Sequence, residues 1–270
     1  MGRTGDVTDR LARLAQSWDE AAEGYETYFV PRFAPWVRAA VDELDDVPEG
    51  PVLVPCCGTF PELALLAPRW PGRRIAGIDL SAGMVRLARL RAAGNPLVEV
   101  VQGNAMTLDP AWSAAAVVSV FGLQQLPDPA TAIRSWYDVL RPGGRLCVVY
   151  WPGTIEDTGP FALLDKVIDA GRDNSWEDDL IPALDGAVIE RDVHLSFPMT
   201  HPGAAEYFDA ANHAGPMRAL ALARGDDYIA ELRAKYLAEA PDGEWTHHPR
   251  ARLISVRKQL SRAAGAPPTS

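Results

Sequence analysis

The sequence predicts an α/β fold built on a mostly parallel sheet covered by helices on both faces. Three observations carry that prediction. Short apolar runs alternate with helical patterns from Val52 to Trp151. The runs are nearly continuous in hydrophobic residues, as strands buried on both sides require. Turn residues, Gly94-Asn95-Pro96 and Arg141-Pro142-Gly143-Gly144, fall where the alternation needs helices to stop and strands to begin.

The elements follow in order. Thr8 is a candidate cap for a first helix, with Leu11, Leu14 and Trp18 at helical spacing. A second helix is expected from Pro35 to Leu44, where Trp36, Val37, Ala40, Val41 and Leu44 share a face, and Pro48-Glu49-Gly50 ends it. The alternation then reads Val52–Pro55, Glu62–Ala67, Arg74–Asp79, Ala82–Ala93, Val98–Gln102, Ala115–Phe121, Pro129–Leu140 and Leu146–Trp151. Beyond Trp151 a helix is expected near Phe161–Ala170, a strand over Ala187–Phe197, helices across 203–240 and a last strand within Trp245–Arg257. Ser261–Ser270 reads as a loose tail. The expected organisation is an N-terminal helical lid (1–50), a core (51–202), a helical cap (203–240), a last core strand (241–258) and a flexible tail (259–270).

Composition excludes several classes. With 270 residues and 47% hydrophobic content, the chain buries a sizeable core. Its apolar runs fall far short of the roughly 20 residues of a spanning helix. Met1–Gln16 alternates charged and small residues and lacks a signal-type apolar segment, so a cytoplasmic location is expected. A net charge of −10 repels polyanions, so nucleic acid is not an expected partner. Three cysteines form no paired framework, and adjacent Cys56 and Cys57 lack metal-ligand spacing; they read as buried thiols, and no metal is expected.

Ligands of open parallel sheets bind beyond the carboxyl ends of the strands, where strand order reverses. The loop Cys56–Phe60 belongs there. Gly58 lets backbone approach a ligand, and amides leading into the helix at Glu62 can receive a carboxylate. Asp79 ends the second strand, 21 residues after Gly58, which suits a carboxylate accepting two ribose hydroxyls; it also suits a cap for the following helix. Asn104-Ala105 ends the third strand, where an amide oxygen could accept from an adenine amino group, or simply close a turn.

These residues resemble the class I S-adenosylmethionine-dependent methyltransferases, in particular the small-molecule branch of ubiquinone and menaquinone biosynthesis. The resemblance rests on Trp18-Asp19-Glu20-Ala21-Ala22 with Tyr25, the glycine loop, Gly77-Ile78-Asp79-Leu80-Ser81 with Met84, and Gly103-Asn104-Ala105. It continues through Val120–Asp128 and Val139–Leu146, with its Leu-Arg-Pro-Gly-Gly run. It implies a Rossmann-like seven-stranded sheet ending in an antiparallel hairpin, with lid helices before it and a helical cap inserted before the last strand. It also implies S-adenosylmethionine as cofactor and S-adenosylhomocysteine as product. Cys57, Gly58 and Thr59 would face the methionine part, Asp79 the ribose, Leu80 and Met84 the adenine faces, and Asn104, Ala105 and Met106 the adenine edge. Phe121 would turn its carbonyl toward the amino end, and Tyr25 would close over the site. The chain departs from the pattern at Val54, where the family carries an acidic residue, at Asn104, where it carries aspartate, and at Cys56 and Phe60, where it carries glycine. A phenylalanine there forces the loop onto another path or fills space near the sulfonium.

Methyl transfer is an in-line displacement in which positioning supplies much of the acceleration, so a dedicated base is optional. Gln124, Gln125, His201 and Tyr207 are candidate acceptor-binding residues, with His247 and His248 near the last strand. His213, in the Tyr207-Phe208-x-x-Ala211-Asn212-His213 cluster, is the candidate base. The aromatics Trp18, Tyr25, Tyr28, Phe29, Phe33 and Trp36 suggest an apolar, planar acceptor, or equally packing between lid and core. The expected protein is a methyltransferase for a small organic acceptor in secondary metabolism, working as monomer or homodimer. The alternative is the same fold without transfer, serving as a lyase, cyclase or cofactor-binding module. A nicotinamide oxidoreductase lacks support, because no Gly-x-Gly-x-x-Gly follows the first strand.

Overall fold

The computed structural model describes residues 3–169, 171 and 174–260. In chain order the elements are α1 (Arg3–Asp42), β1 (Val52–Pro55), α2 (Leu63–Arg69), β2 (Ile75–Asp79), α3 (Ala82–Ala92), β3 (Val98–Gln102), β4 (Ala114–Val120), α4 (Pro129–Asp138) and β5 (Leu140–Tyr150). There follow α5 (Pro160–Ile168), α6 (Leu180–Ala183), β6 (Ala187–Ser196), β7 (Met199–His201), α7 (Ala204–Asn212), α8 (Gly215–Arg224), α9 (Asp226–Glu239), β8 (Trp245–His247) and β9 (Arg250–Lys258).

Seven strands form one sheet in the order β3-β2-β1-β4-β5-β9-β6. The first five pair in parallel, and β9 runs antiparallel between β5 and β6. This is the Rossmann-like sheet with its antiparallel end. Alternate residues of the strands enter opposite cores. Val52 and Val54 join Phe29, Phe33 and Trp36 of α1 on one face, while Leu53 joins Trp136 and Leu146 on the other. Strand order reverses at β1, flanked by β2 and β4, so the loops after β1 and β4 diverge and open a cleft.

Three boundaries differ from the sequence reading. The two expected N-terminal helices are one 40-residue helix that runs through Pro31 and Pro35. Proline at 35 reads locally as a helix start. Burial of Phe29, Phe33, Trp36 and Val37 along one face outweighs that local signal. Thr8 consequently lies inside α1 rather than at its cap. The Arg141–Gly144 turn sits within β5 rather than before it. Ala114 pairs with Leu140 and Ala116 with Arg145, so the turn is an excursion between two paired stretches. The last expected strand is two. Pro249, which has no N–H to donate, separates β9 from β8, and β8 pairs with β7 in a two-stranded ribbon. That ribbon closes the base of the helical insertion α7–α9. Ala170, the expected end of the helix at 161, and the tail Ser261–Ser270 lie outside the described residues.

Candidate active site

The loop after β1 holds three residues in the left-handed region: Cys56 (φ 55°), Gly58 (φ 53°) and Phe60 (φ 67°). Two of them carry side chains that disfavour this conformation. The loop is held by its own hydrogen bonds, with Phe60 N donating to Cys57 O at 2.7 Å and Cys57 N to Ile78 O at 3.1 Å. Room for the side chains comes from glycines on neighbouring strands and loops. The Phe60 ring is fully buried over Gly77, where a Cβ would stand 2.7 Å from Cε1. Cys56 likewise fills the space that a Cβ on Gly122 would need, 2.3 Å from its own Cβ. The phenylalanine therefore neither diverts the loop nor fills the cleft, contrary to the expectation, because Gly77 gives its ring a place in the core.

Above that loop lies a cavity. Of the residues expected to meet a cofactor, Tyr25, Cys57, Gly58, Thr59, Asp79, Leu80, Met84, Asn104, Ala105 and Phe121 all line it; Met106 does not. A Cβ on Gly58 would meet only Met84 Sδ, at 3.9 Å, so the backbone there faces open space.

Asp79 is held by backbone. Its Oδ2 accepts from Gly58 N at 2.8 Å and its Oδ1 from Ser81 N at 3.0 Å. Each oxygen keeps a lone pair for a hydroxyl. Burial pushes the carboxyl above the usual aspartate range, against these amides. The helix cap is Ser81, whose Oγ accepts from Met84 N at 3.1 Å, so Asp79 is free of that duty. Ser81 Oγ also donates to Asp19 Oδ1 at 2.6 Å, which accepts from Gly83 N at 2.9 Å as well. The acidic stripe of α1 continues the attachment, with Glu23 paired to Arg86, Glu26 to Arg91 and Glu20 to Arg218. Helix α1 thus roofs the cavity with Leu14, Trp18 and Tyr25.

Asn104 closes a turn: its Oδ1 accepts from Met106 N at 2.9 Å. That bond takes the Met106 amide and half the acceptor capacity expected for an adenine edge. Ala105 is fixed from behind by Trp136 Nε1, which donates to its carbonyl at 2.7 Å.

A second, larger chamber adjoins the first and shares Trp18, Tyr25, Phe33, Phe121 and Gln125 with it. Its own walls include Trp151, Phe161, Trp176, Tyr207 and Met217. Phe121 and Trp151 stack at 4.1 Å between centroids. No charged side chain and no histidine lines it among the described residues. Gln124 is oriented by donation from Nε2 to Phe121 O at 2.8 Å, which leaves its buried Oε1 without a partner.

Sequence reasoning placed Gln124, Gln125 and Tyr207 in this chamber, and the structure brings them there. It does not bring His201 or His213. His213 is exposed at the end of α7, with its Cβ side against Gly24 of α1. His201 is fully buried in a chain of hydrogen bonds: Tyr28 Oη to His201 Nδ1 (2.8 Å), His201 Nε2 to His247 Nε2 (3.0 Å), and His247 Nδ1 to Glu156 Oε2 (2.6 Å). Burial drives His201 down to about 3, so it is neutral at pH 7. Its neighbours fix the tautomers, each group donating toward Glu156. This chain fastens α1 to the β7–β8 ribbon.

One residue was read only as a helix start. Glu62 lines the first cavity, is 2% exposed, and its Oε2 has no partner. The signal for it was an acidic residue directly before the first turn of α2, where amides alone had been expected to serve a ligand.

Fold and cleft together form a seven-stranded Rossmann-like sheet with a cavity at its switch point. Part of the chain is similar to known methyltransferases. Residues 53–148 match the methyltransferase domain family. A 2-phytyl-1,4-naphtoquinone methyltransferase of Thermosynechococcus vestitus is 34% identical over 118 residues, 42% of this chain and 52% of that protein. A demethylmenaquinone methyltransferase of Thermus thermophilus is 33% identical over 135 residues, 49% of this chain and 60% of that one. The chain thus spans about half the length of the relatives it matches. Among solved structures, the YcgJ protein of Bacillus subtilis superposes with a TM-score of 0.55 at 17% identity, covering 85% of this chain and 99% of that one, a likeness of fold.

Proposed function

We propose that the chain is an S-adenosylmethionine-dependent methyltransferase whose acceptor is a neutral, apolar small molecule with an aromatic or quinol ring. The observation that carries this reading is the junction of two unlike cavities. Among the described residues, one is walled by two carboxylates, Asp79 and Glu62, with no lysine or arginine lining it, and the other is aromatic and uncharged. They meet at Tyr25, Phe33, Phe121 and Gln125. Among the described residues the first cavity offers no cation to a pyrophosphate, which disfavours a dinucleotide. A cationic nucleoside fits it.

When bound, the cofactor supplies a methyl group on a positively charged sulfur. In this assignment Asp79 holds the ribose hydroxyls, Leu80 and Met84 flank the adenine, Asn104 and Ala105 border its edge, and the Cys57–Thr59 backbone faces the amino-acid part. Tyr25 and Phe33 exclude water from the junction. Phe121 and Trp151 present flat apolar surfaces to a planar ring, and Gln124 Oε1 accepts a hydrogen bond from a hydroxyl of the acceptor. No side chain suited to strong proton abstraction lines the chamber among the described residues, so the walls supply position, and the acceptor's own acidity supplies the nucleophile. The quinone-type substrates in the names of the two relatives belong to this class. No helix of the described residues is long and apolar enough to cross a membrane. We place the protein in the cytoplasm, in secondary metabolism.

Incubation with methyl-labelled S-adenosylmethionine and a panel of naphthoquinols, phenols and prenylated ring compounds tests the reading. Label should pass into an organic-extractable product. Tight cofactor binding with no labelled product from any of them would instead support a fold that has lost transfer.

A further inference from the structure

We propose that Glu62 is the anion that receives the positively charged amino end of the cofactor. The inference rests on the reading of the first cavity as a cofactor site. Its basis is a side chain with no structural employment. Glu62 lies directly before α2, but its side chain caps nothing; the backbone carbonyl serves the helix, accepting from Leu65 N and Leu66 N at 2.9 Å. One carboxyl oxygen is met by the residue's own backbone amide, and the other, Oε2, is buried with no partner. A buried acceptor left unpaired is costly, so a fold keeps one where a ligand completes it.

The neighbours do not complete it. Arg91 of α3 is near enough to be felt, yet its guanidinium is bound to Thr59 O and to Glu26, and it forms no ion pair with Glu62. Asp79 of β2, Tyr25 of α1 and Cys57 of the loop face the same space, and none of the three is a cation. Strand β1, Val52–Pro55, carries no carboxylate, and its Val54 is fully buried in the core. Among the described residues, Glu62 and Asp79 are the two carboxylates on a wall that carries no basic side chain. With Asp79 suited to the hydroxyls, an ammonium is the group that satisfies Glu62.

A proton follows from this arrangement. Burial, with Asp79 adding repulsion, pushes Glu62 up to about 8, so without a cation beside it the carboxyl is mostly protonated at pH 7. An ammonium beside it favours the charged form. Binding at pH 7 therefore releases close to one proton, and affinity strengthens as pH rises toward 8.

The test is titration calorimetry of the full chain with three nucleosides in buffers of different ionisation enthalpy. They are S-adenosylhomocysteine, its analogue lacking the amino group, and 5′-methylthioadenosine, which lacks the whole amino-acid part. Expected are near-unit proton release with S-adenosylhomocysteine only, at least tenfold weaker binding of the deaminated analogue, and loss of both distinctions in Glu62→Gln. Binding of 5′-methylthioadenosine should be unchanged in that variant. Equal loss for all ligands in Glu62→Gln, or no loss for any, overturns the role of Glu62 while leaving the cofactor site standing. The unmutated protein decides the matter even if the variant does not fold: equal affinity with and without the amino group, and no proton release, also overturns it. Binding of none of the three by the unmutated protein overturns the cofactor reading itself.

Discussion

Phe60 shows how one residue can break a local rule and be accommodated by another far along the chain. It occupies a left-handed position that favours glycine, and its ring rests where Gly77 has no side chain. Gly77→Ala should then be costly out of proportion to one methyl, because the new Cβ meets Phe60 within 3 Å and Cys57 Sγ at 2.9 Å. We expect about 1–3 kcal/mol of destabilisation in denaturant titration. Adding Phe60→Gly should recover part of it, and a strictly additive double mutant would show that the two positions do not share space. The place of Asp79 in the cavity wall was legible from the sequence because it depends on a strand end and a spacing. Phe60 and Glu62 were not, since burial of a ring under a neighbouring strand and an unpaired oxygen in a wall are properties of packing. The base expected at His213 failed for the same reason: its cluster of polar and aromatic neighbours is real, but the end of α7 turns it outward.

At the scale of elements, α1 and the start of α3 act as roof and hinge post. Asp19 reaches across to the Ser81 hydroxyl and the Gly83 amide, and Gly83 permits the approach, since a Cβ there would lie 2.8 Å from Asp19 O. The three acidic–basic pairs beside it are partly exposed ion pairs, individually worth little. Asp19→Ala should therefore speed release of a preformed S-adenosylhomocysteine complex roughly tenfold, as expected for loss of about 1.4 kcal/mol of charge-assisted bonding. A chase experiment reads this. An unchanged release rate would mean that the roof is held by its apolar face alone. The strands and α2–α4 were legible because each has one hydrophobic period and a clear turn. The continuity of α1 was not, because its prolines speak locally while its aromatic stripe speaks to the core.

For the molecule as a whole, two buried groups tilt stability with pH in opposite directions. His201, lowered to about 3, must stay uncharged in the fold; between about 6.5 and 3 the unfolded chain binds the extra proton, so stability is lost as pH falls. Glu62, raised to about 8, keeps a proton that the unfolded chain releases above about 4.5, so stability is lost as pH rises from there toward 8. Asp79, also raised by burial, adds to the second slope. The ligand-free protein should be most stable in mildly acid buffer, each group contributing a slope of up to about 1.4 kcal/mol per pH unit in its window. Thermal midpoints across pH 4–9 check this, and Glu62→Gln should flatten the alkaline side. The parallel part of the topology was readable from the alternation, and its antiparallel end from the family resemblance. The ribbon that fastens the cap was hidden, because its pairing joins three-residue segments over forty positions apart, with no periodicity of their own.

The aromatic chamber carries one more consequence. Of the eight tryptophans, Trp18, Trp151 and Trp176 line it, whereas Trp36 and Trp136 are sealed in the cores. A guest displacing solvent from those three rings alters their emission against a steady background from the sealed pair. The protein thus brings its own optical gauge of occupancy, and unlabelled compounds can be screened by excitation near 295 nm without knowing the reaction in advance.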